Sequence, residues 1–138
     1  GPAFMGTLAA QFGWQARVHN HRVLTFALDA KGQLPEVPPR QLAVPVDDPA
    51  MVIEPALAKQ GETLYARRCA ACHGLTGVAA GFAPDLRASP IGLDAAAFSG
   101  VVKGGALESR GMPKFYELTD TEVEAMRHYL RQRARLAR

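Results

Sequence analysis

Two cysteines and a histidine are the residues of this chain best suited by type and spacing to redox chemistry. The chain has only two cysteines, Cys69 and Cys72, and His73 follows the second directly. This C-x-x-C-H pattern is the attachment signature of c-type haem, because two thiols reach the vinyl groups of one porphyrin and the next residue places an imidazole under the iron. A zinc site would need a further pair of ligands, and no other cysteine exists. We therefore predict haem c bound covalently through Cys69 and Cys72, with His73 as the proximal iron ligand.

The ligand on the other face of the haem is less clearly specified by spacing. Met112 is favoured because Gly111 and Pro113 flank it in a loop that can turn sharply and hold its shape. Met126 instead falls within a predicted helix, where a methionine usually fills a core. The candidates that remain open are Met5, Met51, Met126, His19, His21 and His128.

Ligation by His73 and Met112 would fill both axial positions and raise the reduction potential, because a neutral thioether favours ferrous iron. An iron with both axial positions occupied by protein suits the transfer of single electrons and leaves no coordination position for oxygen or peroxide. We expect no catalytic residue in this chain, which is then an electron-transfer domain and not an enzyme by itself. A haem enzyme or gas sensor with a labile sixth ligand is the alternative from another class.

Several further residues could support such a site. Pro84 could offer its carbonyl to the outer nitrogen of His73, or be an ordinary loop proline. Arg87 could neutralise a haem propionate, or be a solvated surface arginine. The pair His19 and His21 could share one face of a strand and bind a metal, but a third ligand is missing and exposed histidines are the simpler interpretation. The arginines near the C-terminus could steer an acidic partner or complement a helix dipole.

Sequence patterns typical of helices begin at Pro55 and continue through the rest of the sequence. Apolar spacing predicts a helix from Pro55 to Cys69, and Asp94 can cap a second one that runs to Val102. Thr119 to Glu122 forms a capping box for a last helix, whose apolar stripe is Val123, Met126, Tyr129 and Leu130. A glycine allows close helix approach, so Gly61 and Tyr65 are expected to cross Met126 and Tyr129 of the last helix. The predicted fold class is all-α, with three main helices around the haem.

The first fifty residues differ from this pattern. Residues 21–28 are rich in branched and aromatic side chains and predict a β-strand, and five prolines between Pro35 and Pro49 indicate a semi-rigid linker. We therefore divide the chain into a strand-containing segment (1–30), a Pro-rich linker (31–50) and a haem domain (51–138).

Composition excludes some functions. The chain of 138 residues is 48% hydrophobic and 21% charged, with a formal net charge of +3. No run approaches the roughly 20 apolar residues of a membrane span. The sequence also lacks a basic patch with interleaved aromatic residues, so nucleic-acid binding is not expected.

The second half, from about residue 50 to 136, resembles a class I cytochrome c domain. The matching elements are Gly61-Glu62-Thr63-Leu64-Tyr65, Cys69-Ala70-Ala71-Cys72-His73-Gly74, Pro84-Asp85-Leu86, Gly111-Met112-Pro113 and Leu118-Thr119-Asp120 leading into Tyr129. The resemblance implies thioether anchors at Cys69 and Cys72, axial ligands at His73 and Met112, and Pro84 as the partner of His73.

A narrower resemblance is to quinohaemoprotein alcohol dehydrogenases, in which a pyrroloquinoline quinone (PQQ) β-propeller precedes a linker and a C-terminal haem domain. It rests on residues 22–28, the prolines after them, and the stretches Gly104-Gly105-Ala106-Leu107 and Arg110-Gly111-Met112-Pro113. Residues 1–30 then resemble the end of the propeller. No residue here is assigned to alcohol oxidation itself.

The resemblance implies electron donation by a PQQ dehydrogenase domain or subunit and delivery to a downstream acceptor protein. Haem attachment of this type takes place outside the bacterial cytoplasm or in organelles, so we expect a periplasmic location. The alternative is a free-standing, diffusible cytochrome c in which the first fifty residues wrap the haem domain.

Overall fold

The computed structural model describes residues 23, 25–29, 31–34, 36, 43–78 and 83–138. In these residues the regular structure is helical. The α-helices are α1 (Pro55–Arg68), α2 (Ala70–His73), α3 (Ala95–Val102) and α4 (Asp120–Arg135), and short 3-10 helices span Pro90–Leu93 and Glu108–Arg110. The predicted all-α class and its three main helices are therefore confirmed.

The helices begin where the local sequence satisfies their free backbone groups. Pro55 occupies the first turn of α1, where a missing N–H costs nothing. Asp94 caps α3 by accepting a hydrogen bond from the Ala97 N–H at 2.6 Å. Thr119 and Glu122 form the predicted capping box at the start of α4. These caps explain why the helix starts could be predicted from sequence.

The crossing of α1 and α4 is the most extensive contact between two elements. It is possible because residue 61 is a glycine. A Cβ placed on Gly61 would overlap the Ala125 carbonyl and lie 2.8 Å from the Met126 nitrogen. The predicted close approach is therefore present, although it is the backbone of α4 that meets Gly61.

The apolar stripe of α4 supplies much of the core. The aromatic rings of Tyr65 and Tyr129 pack with centroids 5.2 Å apart at an interplanar angle of 45°. The buried core cluster is Tyr65, Ala70, Phe98, Val102, Leu118, Val123, Met126, Tyr129 and Leu130. Side chains from α1, α3 and α4 thus share one core beside the C-x-x-C-H segment.

Residues 46–51, here called the strap, lie against α4 on the way into α1. Arg131 donates to the Val46 carbonyl at 2.9 Å. Arg135 forms a bidentate ion pair with Asp47 and donates to the Met51 carbonyl at 3.0 Å. The strap is therefore held by two arginines of one helix.

The strand predicted over residues 21–28 is described only at Val23 and residues 25–28, and none of these is in a strand. A lone strand has little stability without a neighbour to pair with, and the described part of the chain contains no other strand. The remaining residues of that prediction lie outside the described ones. No helix among the described residues is long and apolar enough to cross a membrane.

We predict that Gly61→Ala lowers the free energy of unfolding by about 3 kcal/mol or more, because the added methyl group meets backbone and not a movable side chain. Gly100→Ala is the matched control, since Gly100 is also in a helix and a Cβ there meets nothing within 4 Å. It should stabilise by roughly 0.5–1 kcal/mol. Denaturant unfolding followed by circular dichroism measures both, and equal stabilities would contradict the close crossing.

Candidate haem site

A cavity of about 430 Å³ lies beside the α1–α4 crossing. Its walls include Cys69, Cys72, His73 and Met112 together with apolar side chains of α3 and α4. The two thiols and two candidate iron ligands, which are spread over more than forty positions of the sequence, are thus brought to one cavity. Its volume is in the usual range for small-molecule and cofactor sites.

The attachment cysteines stand at the junction of α1 and α2. The Cys69 N–H donates to the Tyr65 carbonyl and the His73 N–H donates to the Cys69 carbonyl, both at 2.9 Å. Cys69 is half-buried and Cys72 is exposed, and no disulfide joins them. Burial, with a smaller effect of Cys72, raises the pKa of the Cys69 thiol to about 12. Such a thiol stays protonated and is a poor nucleophile at neutral pH.

His73 is buried, with its ring oriented by a backbone carbonyl. Its Nδ1 lies 3.3 Å from the Pro84 oxygen, and since a carbonyl can only accept, Nδ1 carries the proton. The opposite nitrogen, Nε2, then has a free lone pair for a metal. Burial lowers the pKa of His73, opposed in part by the hydrogen bond to Pro84. The lowered pKa favours the neutral imidazole, which is the form that ligates iron.

Two tyrosines hold the chain directly after His73. The Tyr65 hydroxyl donates to the Gly74 carbonyl at 2.7 Å, and the Tyr129 hydroxyl donates to the Leu75 carbonyl at 2.9 Å. Both rings belong to the packed pair at the helix crossing. The helix crossing and the C-x-x-C-H segment are thereby fixed relative to each other.

Met112 reaches the cavity from a loop that glycine allows to turn. Gly111 has a φ of 87°, a left-handed conformation that favours glycine, and the Met112 N–H donates to the Leu107 carbonyl at 3.3 Å. Met126 also lines the cavity, but it is 1% exposed within the core stripe of α4, with its Sδ 3.9 Å from Cys69 Sγ.

The other candidate ligands are engaged elsewhere or are not described. The Met51 sulfur accepts a hydrogen bond from Arg127 at 3.4 Å. His128 accepts one from the Glu54 N–H at 3.1 Å. Neither lines the cavity. Outside the described residues lie Met5, His19 and His21. In the part of the chain that the structure describes, no group of three or more histidine, cysteine or acidic residues could hold a metal ion.

Arg87, the arginine singled out by the sequence, is not among the arginines that line the cavity. Arg87 forms a bidentate pair with Asp85, at 2.7 and 3.1 Å, and does not line the cavity. Arg131 does line it and is 1% exposed. Sequence reasoning placed Arg131 with the basic C-terminal end, although its position eight residues after Val123 puts it on the buried face of α4.

The residues present fit a haem. A flat apolar macrocycle suits a cavity with apolar walls, two thiols at its edge suit covalent attachment, and a neutral imidazole and a thioether suit iron. Together with three helices around this cavity, they define the class as c-type cytochrome domains.

The comparisons with known proteins agree with this class. The family model described as "Cytochrome C oxidase, cbb3-type, subunit III" matches residues 56–130, just over half of the chain. The chain therefore belongs to this family of cytochrome c domains.

Its relatives are larger oxidoreductases. The chain is 37% identical over 134 residues to the dehydrogenase subunit of the quinone-dependent alcohol dehydrogenase of Acetobacter aceti, covering 96% of this chain and 18% of that protein. It is 37% identical over 115 residues to quinohemoprotein alcohol dehydrogenase ADH IIB of Pseudomonas putida, covering 81% of this chain and 16% of that protein. The chain thus spans less than a fifth of the length of these relatives.

A solved structure is also similar. The quinohemoprotein alcohol dehydrogenase ADHIIG of Pseudomonas putida HK5 superposes with a TM-score of 0.67 and 29% identity, over 97% of this chain and 19% of that one. The chain is thus a cytochrome c domain homologous to the haem domains of alcohol dehydrogenases.

We predict that Tyr65→Phe lowers the free energy of unfolding by about 1 kcal/mol, because the Gly74 carbonyl loses its donor. Tyr116→Phe is the control, since Tyr116 is 77% exposed and should change nothing measurable. Chemical denaturation of the full chain compares the two. An unchanged Tyr65→Phe protein would show that this hydroxyl does not hold the segment after His73.

Proposed function

We propose that this chain transfers single electrons through haem c that is anchored by Cys69 and Cys72 and ligated by His73 and Met112. The observation that carries the proposal is the cavity where the two thiols, a neutral imidazole and a loop thioether meet. When bound, covalent haem supplies a one-electron couple between ferrous and ferric iron.

The residues of the chain have separate tasks at this site. Cys69 and Cys72 anchor the cofactor at the end of α1. His73 offers Nε2 because its Nδ1–H is donated to Pro84. Met112 offers a neutral sulfur from a loop that is tied to α3 by the Phe115 N–H, which donates to the Val102 carbonyl at 2.8 Å. Apolar side chains exclude water, which limits the reorganisation that accompanies a change in iron charge.

We further propose a PQQ alcohol dehydrogenase domain or subunit as the electron donor and a downstream protein as the acceptor, in the periplasm. The support is that similarity to quinone-dependent alcohol dehydrogenases extends over 96% of this chain, well beyond the haem domain. On this proposal residues 1–30 resemble the end of the propeller and 31–50 the linker. Alcohol oxidation then belongs to the donor.

A free-standing carrier is the second candidate. Its support is the strap. Arg131 and Arg135 bind residues 46–51 to α4, and at least part of the segment before α1 therefore packs on the haem domain itself.

Met112→Ala should abolish the long-wavelength thioether-to-iron charge-transfer band of the oxidised protein, because alanine offers no sulfur. Met51→Ala is the control, since Met51 contacts Arg127 outside the cavity, and it should keep the band. Optical spectra of the purified full chain measure both. Persistence of the band in Met112→Ala would refute this ligand, and its loss in Met126→Ala alone would assign the sulfur to Met126.

The donor is tested by mixing the oxidised chain with a quinohaemoprotein dehydrogenase that lacks its own haem domain. Addition of an alcohol should reduce the haem of this chain, whereas omission of the alcohol should not. Ascorbate, a small reductant, is the control for a competent haem. Full reduction by ascorbate with none by any such dehydrogenase would reject the proposed donor and favour the free-standing carrier.

A further inference from the structure

The carbonyl that orients His73 belongs to a loop that other segments hold in place. His73 Nδ1 lies 3.3 Å from the Pro84 oxygen, which is at the long end of the range for an N–H···O hydrogen bond. Outward displacement of this carbonyl by roughly 0.3 Å would therefore break the bond. The state of the His73 ring thus depends on how firmly residues 84–87, here called the proximal loop, are held.

Hydrogen bonds to the backbone of the proximal loop show what holds it. The Leu86 N–H donates to the Gly77 carbonyl at 2.9 Å, and the Val46 N–H donates to the Arg87 carbonyl at 2.9 Å. Arg131 donates to the Leu86 carbonyl at 2.6 Å. Two of these three bonds come from the strap and from the helix that carries it.

Val46 is fixed at both of its backbone groups. Its N–H is donated to Arg87, and its carbonyl accepts a hydrogen bond from Arg131 at 2.9 Å. The next residue, Asp47, has a side chain that is 7% exposed and forms the bidentate pair with Arg135. The N–H of Val46 is therefore presented to the proximal loop from a segment that is itself anchored on α4.

Contacts within the proximal loop do not determine its position. The Arg87 guanidinium binds both carboxylate oxygens of Asp85, and the Arg87 N–H donates to the same carboxylate at 2.9 Å. Both partners belong to the loop, so these bonds fix its shape and not its distance from His73. That distance depends on the bonds that reach the loop from outside.

We propose that Val46 of the strap is a positioning residue, which holds the Pro84 carbonyl against His73 through the Arg87 carbonyl. This inference rests on the proposed function, because His73 acts on iron only when haem is bound. Donation of Nδ1–H to a carbonyl makes the imidazole a more basic ligand, which stabilises ferric iron. The strap thereby lowers the reduction potential, and the segment that enters the domain acts on the iron from the side of His73.

The test compares Val46→Pro with Val44→Pro in the full holoprotein. Proline at position 46 removes the N–H that Arg87 accepts and keeps the carbonyl that Arg131 binds. Val44 is the matched control because it also adjoins Pro45, is 76% exposed, and its N–H makes no hydrogen bond within the described part of the chain. Neither substitution changes the charge of the protein.

The reduction potential is the first measurement. A less basic His73 favours ferrous iron, so Val46→Pro should raise the equilibrium constant for reduction about fivefold, or about 40 mV for one electron. Val44→Pro should leave the potential in place. If the Val46 N–H had only a structural role, its loss would lower the free energy of unfolding without moving the potential.

Exchange of the His73 Nδ1 proton with solvent is the second measurement, followed by NMR of the ferrous protein with ¹⁵N-labelled histidine. The hydrogen bond to Pro84 should open more often when the proximal loop loses an anchor. Exchange should therefore be about fivefold faster in Val46→Pro, and Val44→Pro should exchange at the rate of the unmodified protein.

Arg131→Lys keeps the test decisive if Val46→Pro does not mature. Lysine keeps the positive charge, but its ammonium lacks the planar fork that reaches the Val46 and Leu86 carbonyls together. The potential and the exchange rate should therefore rise in this variant as well. Unchanged values in the variants that mature would overturn the inference, and so would equal shifts in Val44→Pro. Absence of covalent haem from the unmodified chain, read from its mass, would instead overturn the proposed function.

Discussion

The close contact between α1 and α4 at Gly61 determines how the rest of the domain is placed. Because no side chain separates the helices there, the rings of Tyr65 and Tyr129 meet one turn further along. Their hydroxyls then reach the carbonyls of Gly74 and Leu75. This backbone contact involves no functional side chain, but it determines the position of residues 69–73 relative to the cavity.

Local signals in the sequence made much of the fold predictable. Features that depend on contacts between distant residues could not be predicted in this way. Caps at Asp94 and Thr119 act within four residues of themselves, so the starts of α3 and α4 could be read directly from the sequence. The C-x-x-C-H motif is equally local. The strap could not be predicted, because its position depends on Arg131 and Arg135, more than eighty residues later. Prolines in that stretch indicated a linker, yet its last residues pack on α4.

The same distinction applies to the residues of the candidate site. Glycine and proline around Met112 indicated a loop, and the structure brings that loop to the cavity. Arg87 is predicted either to neutralise a propionate or to be a solvated surface arginine, but its neighbour Asp85 binds its guanidinium. Arg131 was grouped with the terminal arginines by sequence position alone. The helical spacing between Val123 and Arg131 indicates that Arg131 lies on the buried face of α4. The general expectation that arginines are exposed argues against that interpretation.

Burial gives the arginines of α4 and of the residues after it different physical effects. Arg138 lies near the end of the chain with more than half of its side chain exposed, so salt screens its charge and it acts mainly on the approach of a partner. Arg131 is buried and held by two backbone carbonyls, so solvent and salt screen its charge much less. Its carbonyl partners belong to the strap and to the loop after Pro84. The segment that leads into the domain and the loop after Pro84 therefore hold this buried charge in one position on α4.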